Sequence, residues 1–343
     1  MARHEAFSKP LILVAGGGGF IGGHLVARLR ALGKYRVRSV DIKPYDEWYQ
    51  IFDDVDNQIA DLTELRACQT ACHGVTEVYN LAADMGGIGF IESNRALCML
   101  SVLINTHLLM AARAASVSRY FYASSACVYN AGKQSSPQAA ALREADAYPA
   151  QPEDGYGWEK LFSERMCRHF TEDFGMYTRI ARFHGVYGPF GAWEGGREKV
   201  PAAIIRKVVH AKSTGQHDIE IWGDGNQTRS FAYIDDCIEG IDRIMNADML
   251  DPLNLGSSEI VSINQLVDVV EDIAGIQLRR TYNLSAPRGV NGRNSDNTLC
   301  RKVLGWEPTM RLRDGMEKTY AWIAQEYNAK YCIPMPAANS APV

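Results

Sequence analysis

Long apolar runs and an excess of charge of one sign are both missing from this sequence of 343 residues. No apolar run approaches the roughly eighteen residues that a membrane span requires. The 36 Lys and Arg residues nearly balance the 40 Asp and Glu residues, and no basic run stands out, which argues against a nucleic acid partner. The opening residues, MARHEAFSKP, have no apolar core of the signal-peptide kind. We therefore expect a cytoplasmic protein that binds neither a membrane nor nucleic acid.

Paired cysteine motifs are missing as well. The eight cysteines are dispersed without a CxxC pair, so the sequence predicts neither a disulfide framework nor a metal site. Most are expected to be small buried hydrophobic side chains. Cys127 is the exception, because it stands in the stretch YASSACVYN where a predicted strand ends and a hydroxyl or carboxylate would be the more ordinary acid or base.

Short β-branched and aromatic runs alternate with amphipathic stretches along the first half of the chain. The runs predict strands over residues 11–16, 35–42, 77–83, 119–125 and 177–183. The amphipathic stretches predict helices over residues 24–33, 105–115, 200–211 and 264–274. Strands and helices in turn predict an α/β fold with a doubly wound parallel sheet of the Rossmann type.

The rhythm of strands and helices loosens after Val186, where glycines and prolines cluster. We predict a cofactor-binding Rossmann domain over residues 1–185, rejoined by part of 228–258. A smaller lobe, mainly residues 186–330, would bind the substrate, and residues 331–343 would form a tail. The ligand crevice is expected where the lobe meets the sheet.

A glycine-rich turn follows the first predicted strand and opens a helix. Gly16, Gly19 and Gly22 have a GxxGxxG spacing, and Phe20 and Ile21 lie between the last two. Such a turn brings backbone N–H groups to a pyrophosphate at the positive end of a helix. Asp41 ends the second predicted strand, where a carboxylate accepts hydrogen bonds from ribose hydroxyls and repels a 2'-phosphate, so NAD is favoured over NADP.

Asp61 is a second candidate for the cofactor site. It follows another apolar stretch and could meet the adenine amino group of NAD. The alternative is a helix N-cap in DLTEL, and the sequence leaves both open.

Tyr156 and Lys160 form a second constellation. Their spacing of four residues places both on one helical face. A nearby ammonium stabilises phenolate, which would lower the pKa of the tyrosine toward the working range. Such a tyrosine can take the proton of a hydroxyl while hydride leaves the same carbon for nicotinamide.

With these motifs the chain resembles the extended short-chain dehydrogenase/reductases that act on nucleotide sugars. The resemblance runs from LVAGGGGFIGGHL through the Tyr-Lys pair to the C-terminal lobe. In that family a Ser or Thr at the position of Ser125 helps the tyrosine bind the sugar 4-hydroxyl. The resemblance therefore implies Ser125, Tyr156 and Lys160 as the redox residues, with both Tyr156 and Lys160 also contacting NAD.

The position of Cys127 separates groups within this family. Dehydratases carry Asp-Glu where this chain has Ala126-Cys127, which argues against dehydration. A cysteine at position 127 resembles two groups of the family that act on GDP-sugars, the 3,5-epimerases and the epimerase-reductases. The second group pairs its cysteine with a histidine, whereas the first has a lysine, as this chain does at Lys199. Long shared segments favour the 3,5-epimerases: AADMGGIGFIESN, RFHGVYGPFGAWEGGREKVPAA, WGDGNQTRSF and GRNSDN.

The implied chemistry explains why a redox step would precede epimerisation. A ketone at carbon 4 acidifies the C–H bonds at carbons 3 and 5, so a base on one face and an acid on the other can invert each centre. Cys127 and Lys199 are the candidates, because a thiol and a desolvated ammonium can both be tuned toward neutral pH. Which is base and which is acid stays open. If the two residues do not transfer protons, Cys127 would be a buried cysteine at a strand end and Lys199 a solvated charge.

The resemblance also implies contacts to the substrate. Arg229 and Arg293 match the diphosphate-binding arginines of the family, although either could form a structural ion pair. His184 could contact a hydroxyl or be a hydrogen-bonded interior histidine. The remaining residues expected against the substrate, besides Ser125, Cys127 and Lys199, are Met85, Gly87, Glu198 and Gln227.

Other functions remain to be distinguished from 3,5-epimerisation of a GDP-sugar. The first alternative is that the chain is another nucleotide-sugar epimerase or the NADPH-dependent GDP-4-keto-6-deoxymannose epimerase-reductase. Another is a catalytically silent NAD-binding protein, against which the intact Ser125, Cys127, Tyr156 and Lys160 argue. The resemblance further implies a homodimer that pairs through helices such as residues 105–115 and 156–174.

Overall fold

The structure is a computed structural model that describes residues 9–331. Residues 1–8 and the predicted tail after Tyr331 lie outside the described residues. The strands, in chain order, are β1 (Leu11–Ala15), β2 (Arg36–Asp41), β3 (Asp56–Ile59), β4 (Glu77–Asn80), β5 (Arg119–Ser125), β6 (Tyr177–Phe183), β7 (Val186–Tyr187), β8 (Asp218–Trp222), β9 (Thr228–Ser230), β10 (Ala232–Tyr233), β11 (Leu253–Leu255), β12 (Ile260–Ser262), β13 (Arg279–Asn283) and β14 (Gly292–Arg293).

The α-helices are α1 (Phe20–Ala31), α2 (Leu65–Cys72), α3 (Ile88–Ser93), α4 (Arg95–Ala114), α5 (Asp154–Phe174), α6 (Val200–Thr214), α7 (Ile234–Asn246), α8 (Ile263–Ala274), α9 (Thr298–Leu304) and α10 (Leu312–Lys330). Short 3₁₀ turns at Tyr45–Glu47, Ala126–Val128, Ala131–Gln134 and Glu144–Ala147 connect some of these elements.

Seven parallel strands form the central sheet, in the order β11-β6-β5-β4-β1-β2-β3. The predicted doubly wound Rossmann fold is confirmed. Side chains of β1 alternate between two cores: Leu11 and Leu13 pack with α2, α4 and α5, whereas Ile12 and Val14 pack with α1 and α7. Both faces of the sheet are therefore covered by helices, as the continuous apolar strands required.

The C-terminal lobe is built around smaller sheets that stand apart from the central one. β8 pairs with β13 in parallel, and β9 pairs with both β12 and β14. Helices α6, α8 and α10 pack against one another in this lobe and share the hydrophobic core of the α1 face. The chain returns to the central sheet in between, because β11 pairs with β6.

Helix α4 differs from the expectation drawn from the sequence. It is long and apolar enough, by length and composition alone, to cross a membrane. This is weak evidence, because core helices of soluble proteins pass the same test. Its Asn105 lies on the sheet-facing side, where its side-chain oxygen accepts hydrogen bonds from Asn80 at 3.1 Å and Tyr120 at 2.9 Å. One face of α4 thus belongs to the protein core.

Candidate active site

A cavity of about 780 Å³ runs along the carboxyl ends of the central strands and under the C-terminal lobe. Loops after β1, β2, β4, β5 and β6 contribute to its walls, together with residues of the lobe. This is the crevice in which open α/β sheets bind their ligands. Its position agrees with the predicted junction between sheet and lobe.

The glycine turn forms one end of the cavity. Gly16, Gly19, Phe20, Ile21 and Gly22 all line it, and Gly19 is the N-cap of α1. A Cβ atom at Gly22 would collide with the carbonyl oxygen of Gly16, so only glycine lets the helix start this close to the turn. The turn and the helix N-terminus form the cradle that a pyrophosphate requires, and the site therefore fits NAD.

Both predicted carboxylates of the cofactor site line the same end of the cavity. Asp41 is buried at the end of β2, and its Oδ1 accepts a hydrogen bond from the backbone N–H of Lys43 at 3.1 Å. Asp61 accepts from the backbone N–H of Thr63 at 2.8 Å and from its hydroxyl at 2.7 Å. Asp61 therefore organises the turn before α2 and forms part of the cavity wall.

Ser125, Tyr156 and Lys160 come together at the middle of the cavity. Ser125 ends β5, and the other two lie on the first turns of α5. The ammonium of Lys160 donates to the hydroxyl of Tyr122 at 3.2 Å and lies 3.3 Å from the carboxylate of Glu159. It lies 5.5 Å from the ring centroid of Tyr156.

The expected lowering of the Tyr156 pKa is not found in the chain alone. Burial raises the pKa of Tyr156, and a negative charge on Cys127 would raise it further, whereas a hydrogen bond with Ser125 lowers it. The charge of Lys160 is directed to Glu159 and Tyr122 instead.

Cys127 and Lys199 both line the cavity but belong to different elements of the fold. Cys127 lies in the 3₁₀ turn after β5, and Lys199 immediately precedes α6. Burial lowers the pKa of Lys199, and a negative charge on Cys127 opposes that shift. Burial raises the pKa of Cys127, against the attraction of Arg293. The pKa of the lysine is therefore shifted in the expected direction and that of the thiol in the opposite one, and the part of both in proton transfer stays a prediction.

The segment that carries Lys199 is fastened to the loop after β4. Arg197 donates to Asp84 at 2.6 Å and to the carbonyl of Met85 at 3.0 Å, while the N–H of Gly87 donates to the carbonyl of Arg197 at 3.1 Å. A Cβ atom at Gly87 would collide with the carbonyl oxygen of Glu198. Met85 and Gly87 line the cavity, and glycine at 87 admits the backbone that precedes Lys199. Contact of either residue with the substrate stays a prediction.

The two predicted diphosphate arginines line the cavity and already have protein partners. Arg229 donates to three backbone carbonyls, those of Thr228, Arg288 and Val290, and burial lowers its pKa to about 10. Arg293 contacts Cys127, Gln134 and Glu153. Their contact with a diphosphate stays a prediction.

Three further predicted substrate residues are not among those that line the cavity, and their contact with the substrate stays a prediction. His184 is buried, its Nε2 is 2.9 Å from the side-chain oxygen of Asn254, and its pKa is lowered to about 3 by burial. Glu198 accepts from Gly196 and Arg206. Gln227 donates to the carbonyl of Trp222 at 2.8 Å. Each of these three side chains therefore has a partner within the protein.

Glu153 and Arg288 are among the cavity residues that the sequence did not point to. Glu153 is the N-cap of α5, and its carboxylate accepts a hydrogen bond from Arg293. In the sequence it could have been recognised as a carboxylate three residues before Tyr156. Arg288 is exposed at the cavity wall, and its side chain makes no hydrogen bond or ion pair within residues 9–331. In the sequence, Arg288 could have been recognised as an isolated cation in the turn APRGV.

Comparison with known proteins adds sequence and structural relatives. A model of the NAD dependent epimerase/dehydratase family matches residues 12–256. The chain is 45% identical to GDP-mannose 3,5-epimerase 1 of Oryza sativa subsp. japonica over 319 residues, which are 93% of this chain and 82% of that protein. It is 44% identical to GDP-mannose 3,5-epimerase of Arabidopsis thaliana, over 92% of this chain and 82% of that protein.

Solved structures agree with the fold. A UDP-glucose 4-epimerase of Thermotoga maritima matches with a TM-score of 0.82 at 22% identity, covering 92% of this chain and 99% of its own, and shows the fold alone. A UDP-glucuronic acid 4-epimerase of Bacillus cereus, in complex with UDP-glucuronic acid and NAD, matches with a TM-score of 0.80 at 25% identity, covering 92% of this chain and 100% of its own.

Proposed function

The chain belongs to the NAD dependent epimerase/dehydratase family, and on that premise we propose that it is an NAD-dependent enzyme that epimerises GDP-mannose at carbons 3 and 5. The products would be GDP-L-galactose and, after inversion at carbon 5 alone, GDP-L-gulose. Relatives at 44–45% identity that carry the name GDP-mannose 3,5-epimerase support this proposal.

One observation carries the proposal: a thiol and an amine reach the same cavity beside the redox residues. Cys127 follows Ser125 by two residues, and Lys199 arrives from α6. An enzyme that only exchanged hydride at carbon 4 would need Ser125, Tyr156 and Lys160 but no further acid and base. Two additional proton-transfer groups are what inversion beside a ketone requires.

The residues divide the reaction between them. Bound NAD supplies the hydride acceptor for carbon 4 and returns the hydride at the end of the cycle. Ser125 holds the 4-oxygen while Tyr156 takes the hydroxyl proton and later gives it back. Once carbon 4 is a ketone, Cys127 and Lys199 exchange protons with carbons 3 and 5 from opposite sides. Burial lowers the pKa of Lys199 and raises that of Cys127, so both side chains are shifted toward their uncharged forms.

The alternative functions have less support. Epimerase-reductases consume a reduced cofactor, whereas a 3,5-epimerase recycles its NAD and shows no net redox change. The GDP-L-fucose synthases that the chain resembles are more distant, at 29% identity over 70% of this chain for one from rice.

Turnover of GDP-mannose in deuterium oxide tests the proposal. We expect the purified protein to convert GDP-mannose without added NADPH, and NMR of the products to show deuterium at carbons 3 and 5. Cys127→Ala should keep NAD binding and lose this incorporation, because the ketone alone cannot supply the missing proton-transfer group. Full incorporation by the variant would remove Cys127 from the mechanism, and no conversion by the wild-type protein would refute the function.

We further propose that the protein is a homodimer formed through α4 and α5. These helices pack side by side and leave large apolar side chains in solvent on their outer face. Such a patch on a soluble protein marks an interface. Its members are Met99, Leu103 and Met110 on α4, and Trp158 and Phe162 on α5, whereas the exposed Leu97 and Leu100 of α4 line the cavity.

A cytoplasmic location also stays a proposal. The seven cysteines within residues 9–331 are all free thiols, and most of them are buried. Free thiols are expected where the compartment is reducing.

A further inference from the structure

Cys127 is held by a ring of contacts that runs through Glu153 and Arg293. The backbone N–H of Glu153 donates to the carbonyl of Cys127 at 3.1 Å. The Glu153 carboxylate accepts from Nη2 of Arg293 at 2.5 Å. The same guanidinium donates through Nη1 to the Cys127 sulfur at 3.5 Å, which closes the ring.

Each nitrogen of the Arg293 guanidinium has a side-chain partner. Its Nε donates to Gln134 at 2.6 Å, in addition to the bonds to Glu153 and Cys127. Arg293 and Glu153 are both largely removed from solvent, with side chains 14% and 18% exposed. An ion pair in such a place holds its geometry far better than one at the surface. Arg293 therefore presents a fixed positive charge to the sulfur.

We propose that Glu153 is a positioning residue for the acid-base chemistry of Cys127: its carboxylate holds the Arg293 guanidinium against the sulfur. Arg293 then acts on the thiol whether or not it also contacts a diphosphate. This inference rests on the proposed function, in which Cys127 transfers protons. Glu153 itself exchanges no proton with the substrate in this scheme.

Two effects of Glu153 on Cys127 have opposite signs. Its negative charge, taken alone, raises the pKa of the thiol, whereas the Arg293 charge that it holds in place lowers it. The other groups that act electrostatically with Cys127 are Arg229, Lys199 and Tyr156. Removal of the Glu153 side chain therefore distinguishes the two roles by the direction in which the thiol pKa moves.

Alkylation of Cys127 as a function of pH measures that direction without any turnover. The full-length, NAD-loaded protein would be treated with iodoacetamide from pH 6.5 to 10, and the modified Cys127 peptide quantified by mass spectrometry. We expect Glu153→Ala to raise the apparent pKa, so that alkylation at pH 8 falls roughly threefold to tenfold relative to the plateau at high pH. Arg293→Met should give the same shift, and the double variant no larger one.

Conservative and control variants make the outcome specific. Glu153→Gln keeps an acceptor for Arg293 and removes only the charge, so its apparent pKa should equal the wild-type value or lie below it. Glu92 lines a pocket together with Cys127 and has no hydrogen bond or ion pair with Arg293 within residues 9–331, so Glu92→Gln should leave the profile unchanged. If Glu153→Ala fails to fold, the comparison of Arg293→Met with Glu153→Gln still tests the contact.

Two results would overturn the proposal. One is a Glu153→Ala profile that matches the wild type or shifts to lower pH, since Glu153 would then act only as a nearby anion. The other is an Arg293→Met profile equal to that of the wild type. The readout needs no GDP-mannose, so it stands apart from the test of function. In turnover, Glu153→Ala should lower kcat and leave KM within about twofold, because the loss lies in proton transfer and not in binding.

Discussion

At the scale of single residues, one strand end serves both halves of the proposed chemistry. Ser125 ends β5 and Cys127 lies two residues later in the following turn, and both line the cavity. The hydroxyl of Ser125 also accepts a hydrogen bond from the N–H of Cys127 at 3.2 Å. The position of the thiol is thus tied to that of Ser125, as the proposed chemistry at neighbouring carbons of one sugar would require.

His184 shows how burial changes the role of a residue that sequence alone left open. It is 1% exposed, its Nε2 is hydrogen-bonded to Asn254, and its pKa is lowered to about 3. The unfolded chain binds a proton at this histidine near pH 6.5, while the folded protein does not. Its contribution to stability is therefore complete above pH 6.5 and is lost as the pH falls from 6.5 toward 3.

This difference predicts the pH dependence of the free energy of unfolding. Between pH 6.5 and 5, the wild-type protein should lose about 1.6 kcal/mol more than a His184→Gln variant, because the slope rises from half of about 1.4 kcal/mol per pH unit at the unfolded pKa to nearly the full value below it. Urea unfolding of both proteins with saturating NAD measures it. Parallel curves for the two proteins would show that His184 is protonated in the folded state.

At the scale of elements, periodicity identified five of the seven strands of the sheet and the helices α1, α4, α6 and α8, but not α2 or α7, which also cover the sheet. Predicted strands over residues 11–16, 119–125 and 177–183 correspond to β1, β5 and β6 within one residue, because their side chains are buried on both faces. Two strands of the sheet gave no such pattern. β3 is polar and half exposed at the sheet edge, and β11 has three residues.

The site could be predicted only where chemistry lies in short motifs. The glycine turn and the Tyr156-Lys160 pair are local, so residue spacing carries their signal. Arg293 meets Glu153 across 140 residues, and Arg197 meets Asp84 across 113. Such pairs are created by the packing of the lobe on the sheet and leave no periodic trace in the sequence.

The contact between α3 and the segment before α6 predicts that Gly87 controls the placement of Lys199. Gly87 has an ordinary backbone conformation, with φ near −68°, so alanine there is excluded by contact with Glu198 and not by strain. Gly87→Ala should lower the rate of GDP-mannose epimerisation by about 10- to 100-fold, the effect expected of a displacement near 1 Å at a reacting group. Initial rates and bound NAD content measure it.

Gly89→Ala is the matched control for this element. Its Cβ atom would lie 3.3 Å from the exposed ring of Trp222, which can move aside, so activity should stay near that of the wild type. A Gly87→Ala protein as active as Gly89→Ala would show that the segment around Lys199 adapts freely.

At the scale of the whole molecule, the apolar face of α4 and α5 must be covered or must remain in water. Trp158 and Phe162 are 48% and 55% exposed, one turn apart on α5. A dimer that pairs this face with itself would bury them, and it would account for the membrane-like composition of α4 without a membrane. Trp158 and Phe162 flank the buried Lys160 on the same helix, so the interface would also support the helix that carries Tyr156.

This argument predicts the mass of the protein in solution and how to change it. Sedimentation equilibrium of the wild-type protein should give about twice the chain mass of 38.0 kDa. A double variant, Trp158→Lys with Phe162→Lys, should sediment as a monomer, because pairing would bury four like charges against each other in an apolar contact. Leu32 is an exposed apolar residue at the end of α1 on the other face of the sheet, so the Leu32→Lys variant should remain a dimer.

Flotation with phosphatidylcholine vesicles tests whether the apolar face binds lipid instead. A monomeric wild-type protein that floats would assign the apolar face to lipid, whereas a dimer that stays at the bottom assigns it to a second copy of the chain.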